Sequence, residues 1–416
     1  MRALPTTLTR VLVTLTLVSI AAPARAAGFS LDVQSARGTG MASAMTAFID
    51  DSSAVFFNPA GIAQGKILDA QLGVTMIAPK FTYTNRNGDS TDTTFRIVPP
   101  VNAYVSGGIT DTLSLGLGLT SPFGSTLGWP KGWEGRRLIT EVSIQTFNLN
   151  PTAAYRIGPV RLGAGLQVMR GTVHLQRQIA FGETEGSSDI GAGTWGVGAN
   201  IGAQVEAIPK LLSFGAHYRS AVKLSFDGLA HFENVPEPLR NAIHDQRGST
   251  SLLTPDTFAL GAAVRPTPSL LLAADVVWYG WANFRSVDIH FPDDASNTLS
   301  TSTPKSWHNV VNYHLGAEAA VSDAWRVRGG LIYDPSPSPK NTLTPDSPDA
   351  DRVEIALGGS YLHASGFRAE VGYRLVVFLT KDSTAPELPG QYGGFANVLG
   401  LSLGYRTPAK PRSPAR

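Results

Sequence analysis

The sequence predicts an all-β protein: a 14-stranded antiparallel barrel that crosses a membrane, plugged by a small N-terminal hatch. Three observations carry this expectation. The chain opens with a secretory leader and then has no further run long enough for a spanning helix. After Lys66 the hydropathy alternates with a period of two. The alternating segments number about fourteen, and short turns take turns with long polar loops between them.

The leader comes first. Arg2 and Arg10 flank the start, VLVTLTLVSIAA forms the apolar run, and Ala24-Arg25-Ala26 supplies the small-x-small cleavage site. Residues 1–26 are therefore read as a signal peptide, with the mature chain starting at Ala27. Residues 27–64 are rich in small residues and lack alternation, which suits short helices in a confined space. A barrel of about fourteen strands is too wide for its own side chains to fill, so this piece is expected to plug the lumen.

The barrel is assigned to residues 65–407. Its strands are expected near 67–84, 94–108, 112–124, 140–157, 160–180, 191–207, 211–231, 250–266, 270–291, 308–322, 324–334, 351–363, 366–380 and 395–407. In VVNYHLGAEAAV, Val311, Tyr313, Leu315 and Ala317 share one face, and Asn312, His314 and Glu318 share the other. In SFGAHYRSAVKLSFDG the same reading puts Phe214, Tyr218, Val222, Leu224 and Phe226 outward, with His217, Arg219, Lys223 and Asp227 inward. Long loops are expected near 125–139, 181–190, 232–249, 292–307, 335–350 and 381–394. An even strand count puts both termini in the periplasm. Trp278, Tyr279, Trp281, Trp325, Tyr333, Tyr361 and Tyr405 are candidates for interfacial aromatic girdles. A basic, proline-rich tail follows, 408–416, read as disordered.

Composition excludes several function classes. A net charge of +2 gives no case for a nucleic-acid partner. The absence of cysteine removes disulfides, Cys-ligated zinc and thiol catalysis. The eight histidines form no metal-binding spacing, and there is no nucleophile elbow or phosphate loop. No catalytic residue, metal or cofactor is assigned, and the chain is not read as an enzyme. The one serine–histidine pair worth checking is Ser360 with His314.

The motifs run in a recognisable order. DDSSAVFFNPAGIA spans 50–63, TSPFG spans 120–124, and WEGR at 133–136 leads into FNLNPTAAYRIG at 147–158. GGLIYDPSPSP at 329–339 and GLSLGYR at 400–406 follow. Together they resemble the FadL/TodX (OmpP1) family of outer-membrane transporters for long-chain fatty acids and other hydrophobic compounds, over nearly the whole mature chain. The resemblance implies a monomeric outer-membrane barrel, capture of an apolar ligand by outer loops, a lumenal pocket, and release sideways where the third strand is kinked.

On that pattern, Asn58, Pro59, Ala60 and Gly61 are the hatch motif, and Pro122, Phe123 and Gly124 mark the kink. Asn58 can both donate and accept, so the motif is a candidate latch for the gap; a plain turn ending the hatch, and an ordinary strand end at Pro122, are the alternatives. A carboxylate-bearing ligand needs a cation. Arg177 fits the family position by rough register, whereas a bulge near Gly171 would favour Arg170 and His174. Arg219 and Lys223 are further candidates, or else form an ion-pair network with Asp227. Leu127, Trp129 and Trp133 are candidates for the capture groove. The partners implied are a long-chain fatty acid or another hydrophobic small molecule, outer-membrane lipid, and the barrel assembly machinery. An aromatic-hydrocarbon channel is the alternative within the family, and a structural or adhesive barrel the alternative of another class.

Overall fold

The protein is seen in a computed structural model that describes residues 28–293 and 299–408. The leader, 1–26, and all but the first residue of the tail, 408–416, lie outside the described residues. Among the described residues no helix is long and apolar enough to cross a membrane. Fourteen antiparallel strands form one closed barrel. They are β1 (Leu68–Asn85), β2 (Val101–Gly108, with an outer piece Ser90–Asp92), β3 (Leu113–Thr120 and Gly124–Gly128), β4 (Glu141–Ile157) and β5 (Val160–Phe181). Next come β6 (Thr184–Ile208), β7 (Leu212–Arg219 and Lys223–Glu233), β8 (Gln246–Leu253 and Thr257–Thr267), β9 (Leu270–Tyr279) and β10 (Val310–Ala320). The last are β11 (Trp325–Asp334), β12 (Arg352–Leu362), β13 (Phe367–Ser383) and β14 (Gly390–Arg406). Closure is made by β14 on β1, paired from Asp69↔Arg406 to Asn85↔Gly390. It leaves no free edge to hydrocarbon.

The outward faces carry exposed apolar residues, such as Leu162 and Leu166 on β5, Ile201 on β6 and Leu357 on β12. Trp325 with Tyr361, and Phe367 with Tyr405, form aromatic pairs near one rim. Tyr279 and Trp281 do not join a girdle; both are buried and turned into the barrel.

Residues 28–64 occupy the lumen. Ser35 caps the helix α1 (Ala36–Gly40), its hydroxyl accepting from Gly38 N. This helix approaches β12 and β13 so closely that a methyl group on Gly358 or Gly372 would collide with Gly40 or Ala36. A second short helix, α2 (Ala54–Phe57), and the 3-10 turn Pro59–Ile62 complete the plug. Met41, Met45, Ile49, Val55 and Ile62 form its apolar core. The other side of the plug is polar. Arg37 pairs with Asp50, Asp51 and Glu318 of β10, and Arg374 of β13 pairs with Asp32.

Five expectations are corrected here. The expected loop at 181–190 is strand: β5 and β6 join through a tight turn at Gly182 (φ 70°) and stand as a long hairpin. Its sequence reads as a loop because the outward face is polar and the buried inward face carries small residues such as Gly186 and Ser188, so hydropathy does not alternate. The expected loop at 381–394 shrinks to 384–389, and β9 stops at Tyr279 rather than 291. No bulge occurs near Gly171, since β5 keeps register with both β4 and β6 through that point. Its outward face turns polar at Arg170 because the strand leaves the apolar band. Finally, β7 breaks at Ser220–Val222, and its faces exchange there. Tyr218 points out, but Leu224 and Phe226 point in and are buried.

Candidate functional site

A cavity of about 210 Å³ lies in the outer half of the lumen. Its walls are apolar: Ile77 and Phe81 from β1, Leu127 from β3, Ile144 from β4, Leu175 from β5, Phe226 from β7 and Phe378 from β13. The chain segment Gly28–Val33 forms part of its floor. Such a volume, apolar with few polar groups, suits a hydrophobic ligand.

That segment also closes the wall. The ladder between β2 and β3 runs to Ala103↔Leu119 and resumes only where Thr94 N donates to Gly128 O (2.8 Å). Between these points β3 breaks at Ser121–Phe123 and bonds to the N-terminal segment instead. Leu31 N donates to Pro122 O (2.8 Å), and Gly124 N donates to Phe29 O (3.0 Å). The Gln34 side chain donates to Ser121 O (2.7 Å) and accepts from Ser121 N (3.0 Å). Proline at 122 has no N–H to lose. Phe29 is held in a cage of Phe123, Trp281, Phe284 and Trp307, with ring centroids 4.7 to 6.4 Å away.

The hatch motif sits elsewhere. Asn58 Nδ2 donates to Thr46 O (2.8 Å), Ala203 O (3.0 Å) and Ala216 O (3.3 Å), which ties the hatch to β6 and β7. Pro59 and Ala60 lie over Gly163 of β5. Asn58, Pro59 and Ala60 do not bond to Pro122, Phe123 or Gly124; Phe29 and Leu31 do, and Gln34 bonds to the adjoining Ser121. Gly61 is packed against Ile49 O.

The four cation candidates separate. Arg177 points inward, two residues beyond the cavity-lining Leu175 on the same face, and has no hydrogen-bond or ion-pair partner among the described residues. Arg219 also points inward but is engaged by the hatch. Its guanidinium donates to Phe56 O and Gln167 Oε1 (both 2.8 Å) and lies 4.6 Å over the Phe56 ring. Arg170 and Lys223 face outward, contrary to a lumenal role. Arg170 does so because no bulge exists, Lys223 because β7 breaks below it. Asp227 pairs with Arg247, not with Arg219 or Lys223.

Trp129 and Trp133 are buried rather than exposed in a groove. They stack at 4.3 Å, and their indole N–H groups donate to Pro345 O and Ile139 O. With Tyr83, Leu343 and Leu388 they form the packed core of a loop cap above the cavity; Leu127 belongs to that cluster as well as to the cavity wall. Lys305 clasps the cap from one side, its ammonium on Asp346, Thr344 and Ser347. Burial pushes the Asp346 carboxyl up, but Lys305 outweighs it and holds the group below its usual range.

Sequence reasoning did not single out Phe29, Gln34, Arg352 or Arg374. The two arginines line the cavity, yet both are engaged: Arg374 with Asp32 and Glu354, Arg352 with Asp334. Their inward parity was readable, but their partners on the hatch and the neighbouring strands were not. Ser360 accepts from Arg328 and His314 bonds to Ala42 O, so they form no catalytic pair.

The outer membrane protein transport protein family (OMPP1/FadL/TodX) matches residues 17–406. A long-chain fatty acid transport protein of Escherichia coli O6:H1 is 25% identical over 85% of this chain and 87% of its own length. The crystal structure of a Pseudomonas aeruginosa FadL homologue superposes with a TM-score of 0.81 at 19% identity, covering 91% of this chain and 99% of that one. The Ralstonia pickettii toluene transporter TbuX gives a TM-score of 0.68 at 16% identity, covering 89% and 98%. At these identities the two structures speak for the fold alone.

Proposed function

The chain belongs to the OMPP1/FadL/TodX family of outer membrane transport proteins, whose members are transport channels rather than enzymes, and from that premise we propose that it admits long-chain fatty acids across the outer membrane. The observation that carries this reading is the apolar cavity with unpaired Arg177 one step beyond its wall. An alkyl chain fills the cavity, and the carboxylate meets the guanidinium.

The route follows from the same contacts. The outer loops collect the ligand, and the cap passes it to the cavity. There the alkyl chain competes with Phe29 for its aromatic cage. Displacing Phe29 removes the bonds from Gly124 N to Phe29 O and from Leu31 N to Pro122 O. The gap between β2 and β3 is then bridged by Gln34 alone and faces lipid, where exposed Phe95 and Ile97 flank it. The ligand leaves sideways, down its own partition gradient. We place both chain ends on the periplasmic side and take the barrel as a monomer.

The test is uptake of labelled oleate and labelled toluene by a deletion strain, with and without the gene restored. Oleate uptake is expected to return with the gene. In the Arg177→Ala variant, loss of a charge-assisted bond worth about 2 kcal/mol weakens oleate binding more than about tenfold and leaves toluene unaffected. Restored toluene uptake without oleate would move the protein to the aromatic-hydrocarbon reading. Neither would leave a barrel without transport.

A further inference from the structure

The wall has a second unpaired seam, between β6 and β7. The lower ladder ends at Asn200↔Arg219, with Ser220 N donating to Ala199 O and Ala199 N to Ser220 Oγ (both 2.9 Å). Pairing resumes at Gly228↔Ala192, one residue out of register. Between these points Gly193–Gly198 of β6 and Ala221–Asp227 of β7 form no ladder pair with each other. Each keeps its other neighbour, β5 and β8. Backbone direction alternates along a strand, so Ala199, and with it Val197, Trp195 and Gly193, aim their polar groups at this seam. Unpaired groups at hydrocarbon level cost several kcal/mol each, so this stretch is the weakly held part of the β6–β7 wall.

Side chains close it from within. Val222 and Leu224 are 1% and 0% exposed. They wedge against β6 so closely that a methyl group on Gly196 would stand 2.5 Å from Val222 Cγ1 and 3.0 Å from Leu224 Cδ2. Two residues further along the same face, Phe226 lines the apolar cavity. The wedge therefore separates the cavity from the outside. The seam straddles the upper limit of the apolar band: Val197 and Trp195 are each 63% exposed, whereas Arg170 and Lys223 mark the start of polar outer surface. The Arg170 guanidinium lies 5.6 Å from the Trp195 ring and covers Gly193. Neither Arg170 nor Lys223 has a hydrogen-bond or ion-pair partner among the described residues.

We propose that the β6–β7 seam is a second lateral portal, through which a carboxylate-bearing amphiphile in the outer leaflet exchanges with the cavity. Its head rests on Arg170 and Lys223, and its alkyl chain threads past Val222 and Leu224 to Phe226. This rests on the fatty-acid reading above and adds a route that the β3 gap does not supply. The hinge is built in: β7 and β8 break together, at Ser220–Val222 and Thr254–Asp256. Val222 N to Thr254 Oγ1 (2.9 Å) and Thr254 N to Val222 O (3.0 Å) join the two bends, beside Tyr218 Oη to Asp256 Oδ2 (3.3 Å).

The natural chain has no cysteine, so a Gly196→Cys/Val222→Cys pair reports on the seam alone. Oleate uptake is measured in cells with the pair oxidised and after reduction, beside the parent protein. The expected result is slower uptake when oxidised, recovered on reduction. Equal rates in both states overturn the portal; a parent protein that takes up no oleate overturns the fatty-acid reading instead. If the cysteine pair does not assemble, Val222→Ala/Leu224→Ala is expected to raise uptake, and an unchanged rate overturns the portal. Arg170→Ala/Lys223→Ala is expected to slow oleate uptake but not toluene uptake. If it leaves oleate untouched and instead strips co-purifying phosphate-bearing lipid, the cations are a lipid anchor and the head-group part of the proposal fails.

Discussion

Asn58 shows how one side chain can fasten a plug. Its amide reaches three carbonyls on three pieces of chain, Thr46 in the hatch, Ala203 on β6 and Ala216 on β7, and its Oδ1 accepts from Ala60 N. The fit depends on glycine in the wall: a methyl group on Gly163 would stand 2.4 Å from the Pro59 carbonyl carbon. Truncation removes these buried hydrogen bonds, each worth about 0.5–1.5 kcal/mol. Asn58→Ala is therefore expected to loosen the hatch without unfolding the barrel. Limited proteolysis in detergent should cut residues 28–64 sooner, while the barrel keeps its heat-resistant migration in gels. Loss of the folded barrel itself would show that Asn58 does more than fasten the plug. Arg219 belongs with it: its bonds to Phe56 O and Gln167 assign it to docking, so Arg219→Ala is expected to raise hatch cleavage and to leave oleate affinity where it was.

At the level of elements, the decisive features are the places where strands break. The N-terminal segment Phe29–Gln34 acts as a substitute strand beside β3, with Gln34 making two of its bonds. Gln34→Ala is expected to raise the resting conductance of the reconstituted protein, because the gap loses two of its bridging bonds and Pro122 has no N–H to replace them. An unchanged conductance would mean that Phe29 in its cage is enough to keep the gap shut. The same breaks explain what was readable in the sequence. Alternation located every barrel strand, because it records which face meets lipid, and TSPFG marked the β3 interruption through Pro122. Parity carries information only along an unbroken ladder, however. Below Ser220 it placed His217 and Arg219 inward, as found; beyond it, Lys223 and Leu224 came out on the wrong faces. SAVKL carries no proline or glycine to signal the break, whose Ser220 and Thr254 hydroxyls replace ladder bonds. On β5 the error ran the other way, since a change from apolar to polar on one face looked like a slip. The pairing of Phe29 with its cage was not legible, for it depends on Trp281 and Trp307 in a loop far along the chain.

For the whole molecule, the hatch is held by charge as much as by apolar contact, and this makes its docking sensitive to acid. Arg37 joins Asp50 and Asp51 to Glu318; Arg328 continues from Glu318 to Glu370; Arg374 joins Asp32 to Glu354. Burial pushes the Asp51 carboxyl up, but Arg37 and Arg368, with a hydrogen bond from Ser53, outweigh it and hold the group below its ordinary value. Asp32 behaves alike: burial raises it, and Arg374, His314 and Ser43 bring it below the usual range. Both carboxyls thus titrate lower in the folded protein than in an unfolded chain. Their stabilisation is complete above the ordinary carboxylate value near about 4 and is lost as pH falls below it, through the depressed values. Unpaired arginines then remain in the lumen, which is costly. The barrel wall also carries buried ion pairs, but its backbone ladders, which do not titrate, hold it together. Hydrogen exchange followed from pH 7 to pH 3, with rates corrected for intrinsic pH effects, should therefore lose protection in residues 28–64 while β10 to β14 stay protected. Asp51→Asn should shift that loss toward neutral pH, because the variant lacks the charge at every pH. Uniform loss across hatch and wall would mean that the plug and barrel form one cooperative unit. Undiminished hatch protection at pH 3 would assign its docking to the apolar core around Met41, Met45 and Ile49.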